Sequence, residues 1–414
     1  AEDGIRDIGV TGVQTCALPI YPTSRAASSP PRDPPPMALL RVAAHVDLRY
    51  TLRRPTGVDK HIARMVHGLA ATPGIDVTVV APGGQLRGGR IPAGSSLAGL
   101  PVRPLPFSNR FARAWWSVSD VPGLDRFCPN VDWVWSPQEL WAPATHARTA
   151  VTIHGSTYFE RSFPGYDSPW ARLERRRMGW FFARVCRHAD LVLPVSQYLE
   201  RFLVERFSLD PSRSLVVGNG VDDAFFAAGA ATGVGCTYDR DRLLVVGGLN
   251  PWDGGDRVLS VADEISRRVP GMTIDVVGTM DDSSVATSCD RRTNIRRLGF
   301  RPPNQLAEMM PGYLALLYLP NVESFGIVAL EAMATGLPVI ACRLTAVPET
   351  AGNAARYVDE DSPAAVVEAV EELRDEPALR ASWVDRGRRH ADGKTWRACV
   401  DRLAARLLRT SLPG

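Results

Sequence analysis

Between Glu323 and Arg343 the chain reads Glu-Ser-Phe-Gly-Ile-Val-Ala-Leu-Glu-Ala-Met-Ala-Thr-Gly-Leu-Pro-Val-Ile-Ala-Cys-Arg, and Glu331 is the only charged side chain strictly inside it. The apolar run Leu314 to Leu319 predicts a buried strand, Pro320 to Ser324 a turn, Phe325 to Thr335 a helix closed by Gly336, and Val339 to Cys342 the next strand. A strand, loop, helix and strand in this order form one unit of a parallel sheet. Its loop and helix N-terminus fall at the carboxyl ends of the strands, where open α/β sheets bind ligands and free backbone N–H groups attract anions. Glu331 lies about one and a half turns inside the helix. An ionised carboxylate buried without a partner costs several kcal/mol, roughly, so the position calls for donors, and the hydroxyls of a sugar or ribose fit. A glutamate turned to solvent is the alternative, and the apolar surround opposes it.

The two glutamates, embedded in Glu-Ser-Phe-Gly-x-x-x-x-Glu-Ala-Met-Ala-x-Gly-x-Pro-Val-Ile, resemble the donor-site signature of retaining glycosyltransferases of family 4. The resemblance implies an α/β chain of GT-B fold, with two Rossmann-like, doubly wound parallel-sheet domains facing a central cleft. It implies that Glu323 contacts the transferred sugar, that the loop of Ser324, Phe325, Gly326 and Ile327 holds sugar hydroxyls and phosphate through its amides, and that Glu331 holds the nucleotide ribose. It extends from about Leu39 to about Arg409. Asp47-Leu-Arg49 and Thr56-Gly57-Val58 resemble the family's first loop, which faces both substrates. Val151-Thr-Ile-His154-Gly155 resembles a strand whose histidine lies beside the sugar and the leaving phosphate; His154 also reads as an ordinary loop histidine. Asn294 to Phe300 resembles a strand whose following backbone, at Phe300, reads the base. Val216 to Asp222 and Pro348-Glu349 match architectural motifs. Asn219-Gly220 is expected to adopt positive φ in a tight exit turn.

One departure bears on the chemistry. Relatives carry Gly-Arg-x-x-x-x-Lys-Gly after the first strand of the second domain, and its cations neutralise the donor diphosphate. Here the run is Gly247-Gly248-Leu249-Asn250-Pro251-Trp252-Asp253-Gly254. An acid at the lysine position repels a diphosphate by on the order of a kcal/mol. The chain holds only two lysines, Lys60 and Lys394, so the replacement cation is expected to be an arginine. Arg257, Arg301 and the Arg53-Arg54 pair are the candidates. Arg257, one turn beyond Asp253, reads as a solvated helix residue sooner than as a partner for that acid or for the diphosphate.

The resemblance implies transfer of a mannose- or glucose-type hexose from a nucleotide-diphosphate sugar to a glycan or lipid-linked hydroxyl. It implies no cofactor and no metal, the helix N-termini near Gly57 and Gly326 supplying positive charge. Asp359-Glu-Asp361 mimics a metal-binding Asp-x-Asp, but the Ser362-Pro363 that follows explains it as a helix start. No His/Cys pairing has zinc spacing.

Organisation follows the same pattern. Residues 1–36 resemble a translated sequencing adaptor followed by a Pro/Ser/Arg stretch unable to bury a core, and are expected not to be native. A domain over 37–235, a donor domain over 236–395 and a terminal helix over 396–414 returning to the first domain are expected. Ala227 to Gly235 is the linker candidate. A start at Met37 makes the protein cytosolic, and the scattered cysteines are expected as free thiols. A net charge of +3 gives no case for nucleic-acid binding. Trp170 to His188 interleaves aromatics with six arginines and reads either as a core helix with solvated arginines or as a peripheral contact with the inner face of an anionic membrane.

Three readings stay open at this level: a retaining glycosyltransferase, a scaffold of the same fold that lost its diphosphate cations, and a phosphorylase or epimerase. The base and sugar of the donor are open too, with the first loop resembling mannosyltransferase-like relatives.

Overall fold

The computed structural model describes residues 39–52, 56–231, 237–279, 283–359 and 362–411. Its first half carries strands β1 (Leu40–His45), β2 (Ile75–Pro82), β3 (Val102–Leu105), β4 (Trp133–Ser136), β5 (Arg148–Ile153) and β6 (Leu191–Pro194). Helices α1 (Leu48–Thr51), α2 (Gly57–Ala70), α3 (Asn109–Val118), α4 (Pro169–His188), α5 (Gln197–Phe207) and α6 (Asp223–Ala231) alternate with them. The second half carries β7 (Asp239–Val246), β8 (Thr273–Val277), β9 (Ile295–Gly299), β10 (Tyr313–Tyr318), β11 (Val339–Cys342) and β12 (Arg356–Val358). Around them lie α7 (Gly255–Arg268), α8 (Ser283–Asp290), α9 (Pro303–Met309), α10 (Ile327–Thr335), α11 (Val347–Ala351), α12 (Pro363–Asp375), α13 (Pro377–Ala391) and α14 (Trp396–Ser411).

Each half builds a six-stranded sheet, ordered β3-β2-β1-β4-β5-β6 and β12-β11-β10-β7-β8-β9, and every pairing is parallel. Parallel strands are covered by helices on both faces, which is why β4, β6, β10 and β11 are continuous buried runs rather than alternating ones. The order reverses between β1 and β4 in one sheet and between β7 and β10 in the other. The loops after those strands therefore diverge and open a crevice. Residues 46–52, 137–139 and 154–157 line one side, and Gly247–Gly254 with Pro320–Ser324 the other.

The described residues from Leu39 onward form one compact unit, and side chains stitch the two sheets together. Phe325 and Ile327 from the second half pack against the core of the first sheet, and Phe325 also touches the core of the second. Helix α14 returns to α2: Trp396, Val400, Leu403 and Leu407 belong to the first sheet's core, and a Cβ on Gly68 would meet Val400 Cγ2 at 2.4 Å.

Two local expectations are corrected. The exit turn takes its positive φ at Gly218 (75°), not at Asn219 or Gly220. Gly220 is required for space, since a Cβ there would stand 2.1 Å from Trp396 N. The linker candidate 227–235 is helical through Ala231, because α6 buries Gly229 against α10, where a Cβ would lie 2.1 Å from Ala334 O. The remainder of that linker, Arg53-Arg54, Glu360-Asp361 and the 1–36 leader lie outside the described residues.

Candidate active site

The predicted unit around Glu331 forms with β10 at Tyr313–Tyr318, α10 at Ile327–Thr335 and β11 at Val339–Cys342. Left-handed glycines bound the helix, Gly326 at φ 96° and Gly336 at φ 82°. Glu331 is 1 % exposed. Its Oε1 accepts from Lys60 Nζ at 2.6 Å, and its Oε2 is buried with no hydrogen-bond partner among the described residues. Burial pushes the Glu331 carboxyl up; Lys60 pulls it down and Asp222 adds to the rise. The donor expected here was a ligand hydroxyl. The protein itself supplies a lysine for one oxygen and leaves the second open.

Lys60 stands on α2, across the crevice, and the preference for an arginine passed it over. The helix is set by a capping box, Thr56 Oγ1 accepting from Asp59 N while Asp59 Oδ2 accepts from Thr56 N. That cap fixes the rotation that aims Lys60 at Glu331. The sequence signal was its rarity: one of two lysines, one turn inside a ligand-facing helix.

Glu323 folds onto its own loop. Its Oε1 accepts from Ser324 N at 2.9 Å and Phe325 N at 3.0 Å, and Tyr318 Oη donates to Oε2. The amides of Ser324 and Phe325, expected to face a ligand, thus hold the carboxylate of Glu323 in this structure. A neighbouring loop carries His154 and Gly155, and a Cβ on Gly155 would stand 3.0 Å from Ser324 Oγ. His154 N donates to Glu139 Oε1 at 2.6 Å, and its Nε2 lies 2.9 Å from Pro137 O. A carbonyl only accepts, so Nε2 carries the proton and Nδ1 is the basic nitrogen.

His61, unremarked in the sequence, packs edge-on to His154 with ring centroids 4.7 Å apart. Its Nδ1 donates to Asn219 Oδ1 at 2.7 Å, and burial, with His154 nearby, holds its pKa well below the usual value. Asn219, read as architecture, therefore orients a ring beside the crevice.

The departure at Gly248 and Asp253 is built into the backbone. Gly247 and Gly248 take φ 116° and 101°, and a Cβ on Gly248 would stand 2.1 Å from Thr279 O. Asp253 Oδ2 accepts from Asn250 Nδ2 at 2.9 Å. Arg257 donates to Pro320 O at 2.8 Å, and Arg301 to Phe300 O at 3.2 Å beyond β9. Gly57 opens α2 with nothing within 4 Å of the space its Cβ would fill. Among the described residues, no three His, Cys, Asp or Glu side chains converge as a metal-binding group, and no helix is long and apolar enough to cross a membrane.

A cavity of about 760 Å³ adjoins the site, with His154, Gly155 and Ser324 in its wall and Trp116, Met178 and Trp180 among its other lining residues.

Residues 55–225 match the family described as Glycosyltransferase Family 4, and residues 237–390 match Glycosyl transferases group 1, together well over half of the chain. The protein belongs to the family-4 glycosyltransferases, enzymes of GT-B fold. It is 25 % identical over 291 residues to D-inositol 3-phosphate glycosyltransferase of Corynebacterium efficiens, covering 66 % of this chain and 67 % of that protein. To the same-named protein of Acidothermus cellulolyticus it is 31 % identical over 245 residues, 53 % of this chain and 54 % of the relative. The matches thus span about half to two thirds of the relatives' length. Among solved structures, WaaG, a glycosyltransferase of lipopolysaccharide biosynthesis, superposes with a TM-score of 0.63 at 17 % identity over 88 % of this chain and 99 % of its own. Sucrose-phosphate synthase from Thermosynechococcus elongatus gives 0.66 at 15 % identity, over 90 % and 98 %. Anabaena HepE with UDP-glucose gives 0.63 at 14 %, over 90 % and 100 %. At these identities the structures speak for the fold.

Proposed function

We propose that the protein transfers a hexose from a nucleotide-diphosphate sugar to an acceptor hydroxyl with retention of anomeric configuration and without a metal. The observation that carries this is Glu331: a buried carboxylate with one oxygen on Lys60 and the other unpartnered is an acceptor waiting for a neutral hydroxyl donor, as a ribose offers. In this reading Glu323 and His154 flank the transferred sugar. Phe300, Gly248, Ser324, Phe325, Gly326 and Ile327 bound the donor, and the first turns of α2 and α10 face the departing diphosphate. The bond from the anomeric carbon to the diphosphate oxygen breaks. The acceptor oxygen bonds to the same face, and its proton passes to the leaving diphosphate. HepE was solved with UDP-glucose, which supports a donor of this class. Lys60, Arg257 and Arg301 are the cations proposed to offset the diphosphate charge. The acceptor is a glycan or lipid-linked hydroxyl.

Calorimetric titration with GDP, UDP and ADP in metal-free buffer tests the reading. Micromolar binding of one nucleotide, weakened tenfold or more by Glu331→Ala, is the expected result, roughly the worth of a charged hydrogen bond. Folded protein that binds none of them would replace the enzyme with a scaffold of the same fold. Binding in metal-free buffer that EDTA abolishes would overturn metal independence.

A further inference from the structure

We propose that the cavity beside His154 receives the apolar tail of an anionic amphiphile, so that the acceptor is a lipid carrying a phosphate or similar charge near its reactive hydroxyl. This deepens the donor reading above and rests on it for the direction of transfer.

The lining is divided. At one end its polar members cluster about His154, where Glu139 accepts the His154 N–H and Ser156 and Thr157 follow in the chain, and α3 and α4 add Arg113, Ser117 and Arg177. The apolar side chains come largely from α3 and α4, chiefly Trp116, Val118, Met178, Trp180 and Phe181. A hydroxyl bound at the His154 and Ser324 end would thus lie where the sugar is delivered, with an alkyl chain directed between the two helices. A glycan of comparable volume would lie against Trp116, Met178, Trp180 and Phe181, and each hydroxyl facing them would carry its desolvation cost.

The cavity also opens onto an apolar rim. Val118 and Trp180, which line it, are 82 % and 45 % exposed. Around them α3 exposes Phe111 and Trp115, stacked at 6.1 Å, and α4 exposes Trp170 and Leu173. Most of the large exposed hydrophobics among the described residues belong to these two helices and the turn at Val121. Apolar side chains exposed along two neighbouring helices in this way mark an interaction surface. Its charge selects the partner. Arg110, Arg172 and Arg176 are exposed on the same helices, and Arg113 lines the cavity with no ion pair to an acid among the described residues. Aromatic side chains interleaved with arginine fit an anionic lipid surface, from which a lipid acceptor would enter tail first. The core-helix reading of α4 holds for its inner face, where Phe182, Val185 and Cys186 are buried, and the lipid reading takes the outer one.

The test is calorimetry on the full chain with monomeric dodecyl phosphate, glycerol 3-phosphate and maltotriose, each followed by the nucleotide that the donor titration identifies. Dodecyl phosphate is expected to bind at least about tenfold tighter than glycerol 3-phosphate, the difference being the buried chain. Met178→Arg and the rim variant Val118→Asp should each weaken it about tenfold while nucleotide binding persists, and Arg113→Glu should erase its advantage over neutral dodecyl maltoside. The exposed Val118 position keeps the test valid if Met178→Arg does not fold. Tighter binding of maltotriose would overturn the proposal in favour of a glycan groove. Dodecyl phosphate binding untouched by both cavity variants would overturn it as adsorption elsewhere. Loss of nucleotide binding in the wild type strikes the donor reading alone, because the amphiphile titration is read separately.

Discussion

Lys60 Nζ sits 2.6 Å from Glu331 Oε1, joining helix α2 of the first sheet to a carboxylate buried behind the loop after β10. The lysine side chain is 14 % exposed and the glutamate 1 %, so the pair lies largely out of water. Removing one partner from such a pair leaves the other charge uncompensated, at about 3 kcal/mol or more. Lys60→Ala is expected to destabilise by about that amount at pH 8 and by clearly less in a Glu331→Gln background, where no charge is stranded. A double-mutant cycle by urea unfolding measures the coupling. Additive effects, with no coupling energy, would mean that the contact does not contribute.

The same carboxylate makes nucleotide affinity depend on pH. Burial raises the Glu331 pKa above 4.5, and a ribose whose hydroxyls donate to it favours the ionised form. Binding therefore releases a proton wherever free Glu331 is still protonated, so affinity should rise with pH from 4.5 through its raised value and then level off. For stability the sign is reversed. Between 4.5 and the folded value the native state holds more protons than the unfolded chain, so this group's contribution falls as pH rises. Titrations of the preferred nucleotide across that range, with Glu331→Gln as the flat control, check the first statement. An affinity that falls with pH there would contradict it.

Restoring the family's missing cations should succeed at one position and fail at the other. Gly248 holds φ 101° with Thr279 O where a side chain would begin, so Gly248→Arg meets both strain and backbone. Strain of this kind alone costs on the order of 1–3 kcal/mol. Asp253 is not a glycine held at positive φ, and its carboxylate accepts from Asn250 Nδ2. Asp253→Lys should therefore tighten diphosphate nucleotides by roughly tenfold, a repulsion replaced by an attraction. Calorimetry on both variants decides, and tighter binding by Gly248→Arg would show that the loop is not sterically closed.

Much of this was legible in the chain because it is local. The order of β10, α10 and β11, the stop of α10 at Gly336 and the limits of β11 follow from apolar runs and glycine, and the burial of Glu331 from its apolar neighbours within one helix. Helix α10 starts at Ile327 rather than Phe325 because Gly326 is left-handed. What escaped is tertiary. Lys60 and Glu331 are 271 residues apart, and no periodicity reports that α2 of one sheet faces α10 of the other. Gly220 illustrates the same limit: a glycine in an Asn-Gly pair suggests a turn, whereas here it is needed because Trp396, far along the chain, passes against it. Phe325 N was assigned to a ligand by its place in the motif, while the fold lets Glu323 take that amide first.

Acid should weaken the fold through the buried histidines. Burial lowers His45 to about 4 from 6.5, with the Asn109 contact opposing. Between those values the unfolded chain binds the extra proton, so stability rises with pH through the window and is lost as pH falls from 6.5 toward 4. The contribution is on the order of 3 kcal/mol over the whole window. His61, lowered for the same reason, adds to it. His45→Gln should flatten this limb in urea unfolding measured across the range; an unchanged slope would mean that His45 is not held neutral.

Glu349, which the sequence marked as structural beside Pro348, ties the sheets together at a second point. Its Oε1 accepts from Gln197 N at 2.7 Å and its Oε2 from Tyr198 N at 2.8 Å, so a residue of α11 caps α5 of the other sheet. Ser196 Oγ takes the next amide, Leu199 N, at 3.2 Å, and together they satisfy first-turn donors that the helix leaves without internal partners. A carboxylate there also meets the positive end of the helix dipole. Because the contact is partly in water, Glu349→Ala should cost only about 1 kcal/mol, with Glu349→Gln, which keeps one acceptor, near half of that. The sharper readout is amide exchange. Gln197 and Tyr198 should exchange faster in Glu349→Ala while amides in the middle of α5 do not, and equal protection in both proteins would show that the cap is dispensable.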